Sequence, residues 1–184
     1  MGLADALKLS DWETHYLFAA SGVMLPDPML DDAEAMRTYI DALLQPNPAL
    51  VLDVSWRIAA YNREWQRLFK GVWLTPSMHQ WLYVSTTSRS IVRNWDEVSQ
   101  WCVGWMRYGM AVDPDTVAPV VRMLMSITVF RREWQAQVIP VDPATQPWIV
   151  HDRDNGCEST IDMQVWRASP MPGALLLGAI LDTR

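Results

Sequence analysis

The chain has 184 residues, half of them hydrophobic and a fifth charged, with a net charge of −6. That balance excludes a disordered segment, and the length suits one domain, or one domain with a helical appendage, whose core needs no disulfide to fold. The charge is uneven: residues 1–55 carry nine acidic and two basic side chains, the remainder twelve and thirteen. No basic stripe offers itself to a phosphate backbone, so this chain is not expected to bind nucleic acid by itself. The longest apolar run, Ala174 to Leu181, is strand-sized and falls well short of the roughly 18 residues of a membrane span. The opening MGLADALKLSDWE has early acidic residues and no long apolar stretch, unlike a signal peptide, so the expected compartment is the cytoplasm.

In chain order, Leu3 to Leu9 reads as the end of a helix. Ser10 and Glu13 form a capping-box pattern opening a second helix that runs to about Ala20, with Gly22 as its stop. Leu25-Pro26-Asp27-Pro28 is an extended break. A helix over Asp31–Leu44 follows, with Met36, Tyr39, Ile40 and Leu43 on one face and acidic residues in its first turn. After Pro46-Asn47-Pro48 the period changes. Ala49–Val54 and Trp56–Ala60 read as two strands about a tight turn, and Tyr61, Trp65, Leu68 and Phe69 return to helical spacing. From about Pro76 to Val138 the pattern is helical, with breaks near Thr86 and Asp113-Pro114. Val98, Trp101, Cys102 and Trp105 share one face there, and Val117, Val120, Val121 and Leu124 another. Trp148–His151 is a short strand. Ile161, Met163 and Val165 alternate with polar residues as in a half-buried strand, Pro170–Gly173 is a turn, and Ala174–Leu181 is apolar on both faces like a central strand. The fold class expected is α+β, a five-stranded antiparallel sheet with helices over one face.

Chemical motifs are sparse. There is no phosphate-binding loop, no dinucleotide fingerprint and no nucleophile elbow. His15, His79 and His151 lack metal-ligand spacing, so no metal site is expected; His79, among Trp81, Leu82 and Tyr83, reads as a packed histidine rather than a haem ligand. Cys102 reads as a small buried hydrophobe and Cys157 as a turn residue. Asp96-Glu97 and Asp113/Asp115 sit where helices begin, and Asp152/Asp154 flank an exposed Arg153 in a turn. None of these pairs calls for acid–base catalysis, and no enzyme is expected. The unusual number is 11 tryptophans, spread without a period. They build either a solid core of large rings or an aromatic-lined cavity.

Three segments together carry a resemblance. Pro48–Asp53 followed by Trp56–Asn62, then Asn94-Trp95-Asp96-Glu97-Val98, then Phe130-Arg131-Arg132-Glu133-Trp134, resemble in order and spacing the ligand-binding domain of MmyB-like transcription regulators, a PAS-like module. One step departs from the family pattern: His151–Gly156 stands, one residue longer, where the family has a His-Pro step before a glycine. Leu3 to Gly22 resembles the end of the helix-turn-helix domain that precedes the module. The division implied is a helical remnant and linker over 1–46 and a PAS-like ligand-binding domain over 47–184, with the DNA-reading helices upstream. By analogy the effector is fatty-acid-like, held between sheet and helices; no other cofactor is expected. Trp56, Trp81, Trp101, Trp105, Phe130 and Trp134 are the expected wall. Arg107 is a candidate carboxylate anchor, or else a surface or ion-paired residue. Trp95 is either wall or structural lock, and Asn62 reads as an N-cap. The partners implied are the small effector, DNA through the upstream domain, and a second copy in a homodimer; no membrane contact is expected. The 31–44 helix is the expected lever. The competing reading is a protein-interaction module with a solid aromatic core.

Overall fold

The computed structural model describes residues 8–9, 13, 16–17, 20–21, 40, 46–137, 147–168 and 173–183. Five strands form one antiparallel sheet: β1 (Ala49–Asp53), β2 (Ile58–Tyr61), β3 (Trp148–Asp152), β4 (Cys157–Ala168) and β5 (Gly173–Thr183), in the order β2-β1-β5-β4-β3. Between β2 and β3 lie α1 (Arg63–Leu68), a short 3-10 turn (Val72–Leu74), α2 (Met78–Val84), α3 (Ser88–Ile91), α4 (Trp95–Val112), α5 (Pro114–Leu124) and α6 (Thr128–Gln135). This is the α+β arrangement expected, and the all-apolar Ala174–Leu181 run lies centrally, between β1 and β4.

The sheet face toward the helices follows from a period of two. Leu50 and Leu52 of β1, Leu176 of β5, Ile161 and Met163 of β4, and Trp148 and Val150 of β3 are all buried in the core. The residues that alternate with them along β1 and β4, Val51, Asp162 and Gln164, are only half-buried. Helical side chains close over that face: Trp65 and Leu68 from α1, Trp81 and Leu82 from α2, and Trp101, Cys102 and Trp105 from α4. A second, smaller cluster joins Val103 and Met106 of α4 to Val117, Val121 and Leu124 of α5 and Phe130 of α6.

Side-chain caps open three of these six α-helices, α1, α2 and α5. Asn62 is the N-cap of α1: its Oδ1 accepts from the Trp65 amide at 2.9 Å and also from the Ala49 amide at 3.0 Å, while its Nδ2 donates to the Asn47 carbonyl. One buried amide thus starts a helix and ties it to β1. Asp113 caps α5 by accepting from the Thr116 amide at 3.1 Å. Hydrogen bonding from the Thr116 hydroxyl, and then from its amide, holds the Asp113 carboxyl below the usual range.

The helical stretch is broken more often than the sequence predicts. Besides the breaks at 85–87 and at Asp113, the chain leaves the helix at 92–94 and at 125–127. At the first of these, Val92 bridges Val150, the Arg93 amide donates to the Ile149 carbonyl, and Asn94 Oδ1 accepts from the Ile149 amide. Pairing with the edge of β3 replaces helix propagation there. At the second, Ser126 and Ile127 turn back on the Met123 and Leu124 carbonyls, which reverses the chain and brings α6 onto α4.

In the N-terminal segment, Glu13, Tyr16, Leu17 and Ala20 are helical, as expected. Ile40 is helical and buried, on the face predicted to be apolar. Ser10 of the capping box, the remainder of the 31–44 helix and residues 170–172 of the expected turn lie outside the described residues, while Gly173, the last residue of that turn, opens β5.

Candidate functional site

The β1–β2 turn is where local sequence sets the site. Asp53 Oδ1 accepts from the Ser55 amide (2.8 Å), the Ser55 hydroxyl (2.7 Å) and the Arg57 amide (2.9 Å). This closed turn leaves Trp56 at φ +65°, the left-handed region that costs a bulky residue roughly 1–2 kcal/mol. The strain is held by the turn and by the first amide of α2, Met78, which donates to the Trp56 carbonyl at 3.0 Å. Gly109 of α4 admits the turn: a Cβ there would lie 2.8 Å from the Val54 carbonyl oxygen. The result is an indole with 3% exposure fixed against α2 and α4.

From Trp56 a chain of ring contacts runs through the core. His79 stacks on Trp56 at 4.7 Å, and Trp101 meets Trp56 edge-on at 5.7 Å. Trp101 continues to Trp105 (5.9 Å) and to Trp148 (5.6 Å), and Trp148 to Phe69 and Trp65; Phe69 reaches Trp81. On the other side His79 stacks toward Tyr83, Tyr83 meets Phe130 at 5.4 Å, and Phe130 stacks on Trp134. All six ring residues expected in the wall belong to this network. They fall in two parts, with Tyr83 joining the sheet-side rings to Phe130 and Trp134 in the α4–α5–α6 cluster.

Several ring nitrogens in the network have no hydrogen-bond partner among the described residues: Nε1 of Trp65, Trp101 and Trp148, and both nitrogens of His79, all at 0–1% exposure. Such groups are rare in native interiors, and each costs about 1–3 kcal/mol if left unmet. Burial holds the His79 imidazole neutral, with its pKa pushed down to about 3. Other indoles are satisfied. Trp81 Nε1 donates to the Lys70 carbonyl at 3.1 Å, and Trp95 Nε1 to the Leu82 carbonyl at 3.2 Å. With the Arg89 guanidinium 3.6 Å above its ring, Trp95 fastens α4 to α2, so of its two readings the lock is the one its contacts match.

Arg107 is neither free nor ion-paired among the described residues. Its guanidinium lies 4.3 Å over the Trp134 ring and donates to the Trp134 carbonyl at the end of α6. Burial lowers its pKa, and Tyr16 of the N-terminal segment interacts with it electrostatically.

The fold also assembles a polar cluster that no spacing announces. Glu133 of α6, 4% exposed, accepts from the Ser99 hydroxyl of α4 at 2.5 Å, and the Ser99 hydroxyl lies 2.9 Å from the Tyr83 hydroxyl of α2. Burial raises the Glu133 carboxyl, and it raises the Tyr83 phenol and the Cys102 thiol well above their usual ranges. The cluster joins three helices and stays protonated at its alcohols and thiol. Asp152, read as a turn residue, is buried at the end of β3. It accepts from Arg67 at 2.5 Å and from the Asp154 and Asn155 amides; burial raises its pKa, but these bonds prevail and hold it below the usual range. Cys157 opens β4 and is half-buried. Among the described residues, no three His, Cys, Asp or Glu side chains gather to hold a metal, and no helix is long and apolar enough to cross a membrane.

Sequence reasoning missed Trp65, Phe69, Trp148, Tyr83 and His79 as members of the network. Trp65 and Phe69 showed helical spacing and Trp148 opened a short strand, but only the fold puts Trp148 against Trp101, with Trp65 and Phe69 against Trp148.

A search of curated proteins finds no match to the chain. A family model does match it, that of the MmyB-like transcription regulator ligand binding domain, over residues 33–179. That span takes in four strands whole, the larger part of β5 and every helix of the ring network, and the chain accordingly belongs to the MmyB-like transcription regulator family, whose ligand-binding domain it carries.

Proposed function

We propose that the chain is the sensory part of a cytoplasmic transcription regulator, which holds a small, mostly apolar effector of fatty-acyl type among the rings between sheet and helices and passes its occupancy to a DNA-binding helix-turn-helix domain. The observation that carries this reading is the continuous ring network around Trp56, His79 and Trp101, with polar atoms at its centre that find no partner among the described residues. A solid core gains nothing from orphaned indole N–H groups, whereas a small-molecule site needs an apolar wall with a few polar anchors. The strained Trp56 backbone supports the same reading, since strain persists where the surroundings over-determine it for a purpose.

Trp56, Trp101 and Trp105 form the wall nearest that centre. Trp81 supports it from behind Phe69, and Phe130 and Trp134 close the helical end through Tyr83. An effector acts only through different affinities for two arrangements of the domain. The N-terminal segment is the route outward: Tyr16 packs against the main core and interacts with Arg107, and Ile40 is buried. Dimerisation belongs to the same reading, because helix-turn-helix readers take paired half-sites.

Mass spectrometry of a denaturing solvent extract of the purified chain, beside a matched control protein, tests it. A stoichiometric acyl compound is expected. An empty extract, together with no thermal stabilisation by any acyl-chain compound, would replace this reading with a protein-interaction module built on a solid core. Trp101→Gln should abolish binding in a folded protein; unchanged affinity would remove Trp101 from the site.

A further inference from the structure

We propose that the effector carries an uncharged hydrogen-bonding head, a hydroxyl or a carbonyl, that docks between His79 and Trp101. The inference rests on the pocket proposed above and names the chemistry of what fills it. His79 and Trp101 are both fully buried, both touch the Trp56 ring, and neither has a hydrogen-bond partner for its ring nitrogens among the described residues.

A neutral imidazole offers one N–H and one acceptor nitrogen, and an indole offers one N–H. A hydroxyl can accept from Trp101 and donate to the imidazole; a carbonyl can accept from both N–H groups. A carboxylate fits poorly. Burying its charge requires a paired cation. The guanidinium nearest the helical end of the network, Arg107, is engaged by the ring and carbonyl of Trp134. Glu133, hydrogen-bonded to Ser99 beside Tyr83, adds a buried acidic group one ring away from His79, which disfavours a second carboxylate. Burial keeps His79 from supplying the missing positive charge.

The test is calorimetric titration of the full chain at neutral pH with four probes sharing one alkyl chain: dodecanol, methyl dodecanoate, dodecanoic acid and dodecane. Dodecanol and the ester should bind about tenfold or more tighter than the acid and the alkane. His79→Phe, which keeps an aromatic ring against Trp56, should bring dodecanol down to the level of dodecane. His79→Gln, which restores a donor and an acceptor, should recover most of the difference. Tightest binding by the acid, or equal binding of dodecanol and dodecane, overturns the assignment in the unaltered chain, whether or not the variants fold. A preference for dodecanol unchanged in a folded His79→Phe also overturns it. If all four probes bind alike, the pocket stands and the head-group assignment fails; if none binds, the acyl pocket itself fails.

Discussion

His79 gives the account a quantitative consequence for stability. The imidazole is fully buried with no partner among the described residues, and its pKa is pushed down to about 3 from an ordinary value of 6.5. A basic group with a depressed folded pKa is protonated more readily in the unfolded chain. Stability is therefore full above about pH 6.5, falls as pH drops below it, and stops falling near the folded pKa of about 3. Integrated over the interval, the loss is about 5 kcal/mol, of which about 2 kcal/mol has gone by about pH 5. The other titrating groups contribute equally to the wild type and to His79→Phe, so the comparison isolates this one residue. Urea unfolding of both proteins at a series of pH values from about 8 to 5 should show the wild type losing about 2 kcal/mol more than the variant. Parallel pH profiles would refute the burial argument, and with it the neutral imidazole on which the head-group assignment depends.

Other consequences are local. Asn62→Ala removes the α1 cap and leaves the Ala49 amide and Asn47 carbonyl without their partner, which should cost about 3 kcal/mol in denaturant unfolding; a cost below about 1 kcal/mol would mean that water replaces the amide. Glu133→Gln keeps an acceptor for Ser99 but removes a buried charge. Because the folded pKa is raised, the variant should gain stability over the wild type as pH rises above the ordinary carboxylate value and match it in acid; equal thermal midpoints at neutral pH would count against the buried carboxylate. Asp152→Asn should lose about 2 kcal/mol by breaking the Arg67 pair, with the loss vanishing in acid, since the depressed folded pKa makes this stabilisation present above the unfolded pKa and lost as pH falls through the folded one. A loss that persists unchanged in acid would assign it to the turn rather than to the ion pair.

What could be read from the sequence was what depends on near neighbours. Strand alternation around Ile161 and Met163, the Asn62 cap, the helix start at Asp113-Pro114 and the apolar faces of α4 and α5 are local patterns, and they stand in the fold where they were expected. The break at 92–94 was not legible because its cause is β3, some 55 residues further on, whose Ile149 backbone takes the hydrogen bonds that helix propagation would otherwise make. The Tyr83–Ser99–Glu133 cluster draws one residue from each of three helices, 16 and 34 positions apart, and no spacing rule reaches that far. Arg107 illustrates the same limit. Its residue type suits a carboxylate, but its surroundings are set by Trp134, 27 residues away, which offers both a ring and a carbonyl. His79 was read as packed, and it is. That packing leaves both its nitrogens without a partner among the described residues, which only the assembled core reveals.

The central claim, that the buried rings are an effector site, is tested most directly at the indole N–H groups themselves. In a chain labelled at the tryptophan side-chain nitrogen and titrated with dodecanol, nuclear magnetic resonance should show the Trp101 signal moving most, with those of Trp148 and Trp65 following. Signals from the exposed Trp73 and Trp166 should stay in place. Saturable shifts confined to the exposed tryptophans, or no shifts at all, would contradict the account and leave the ring network as a solid core.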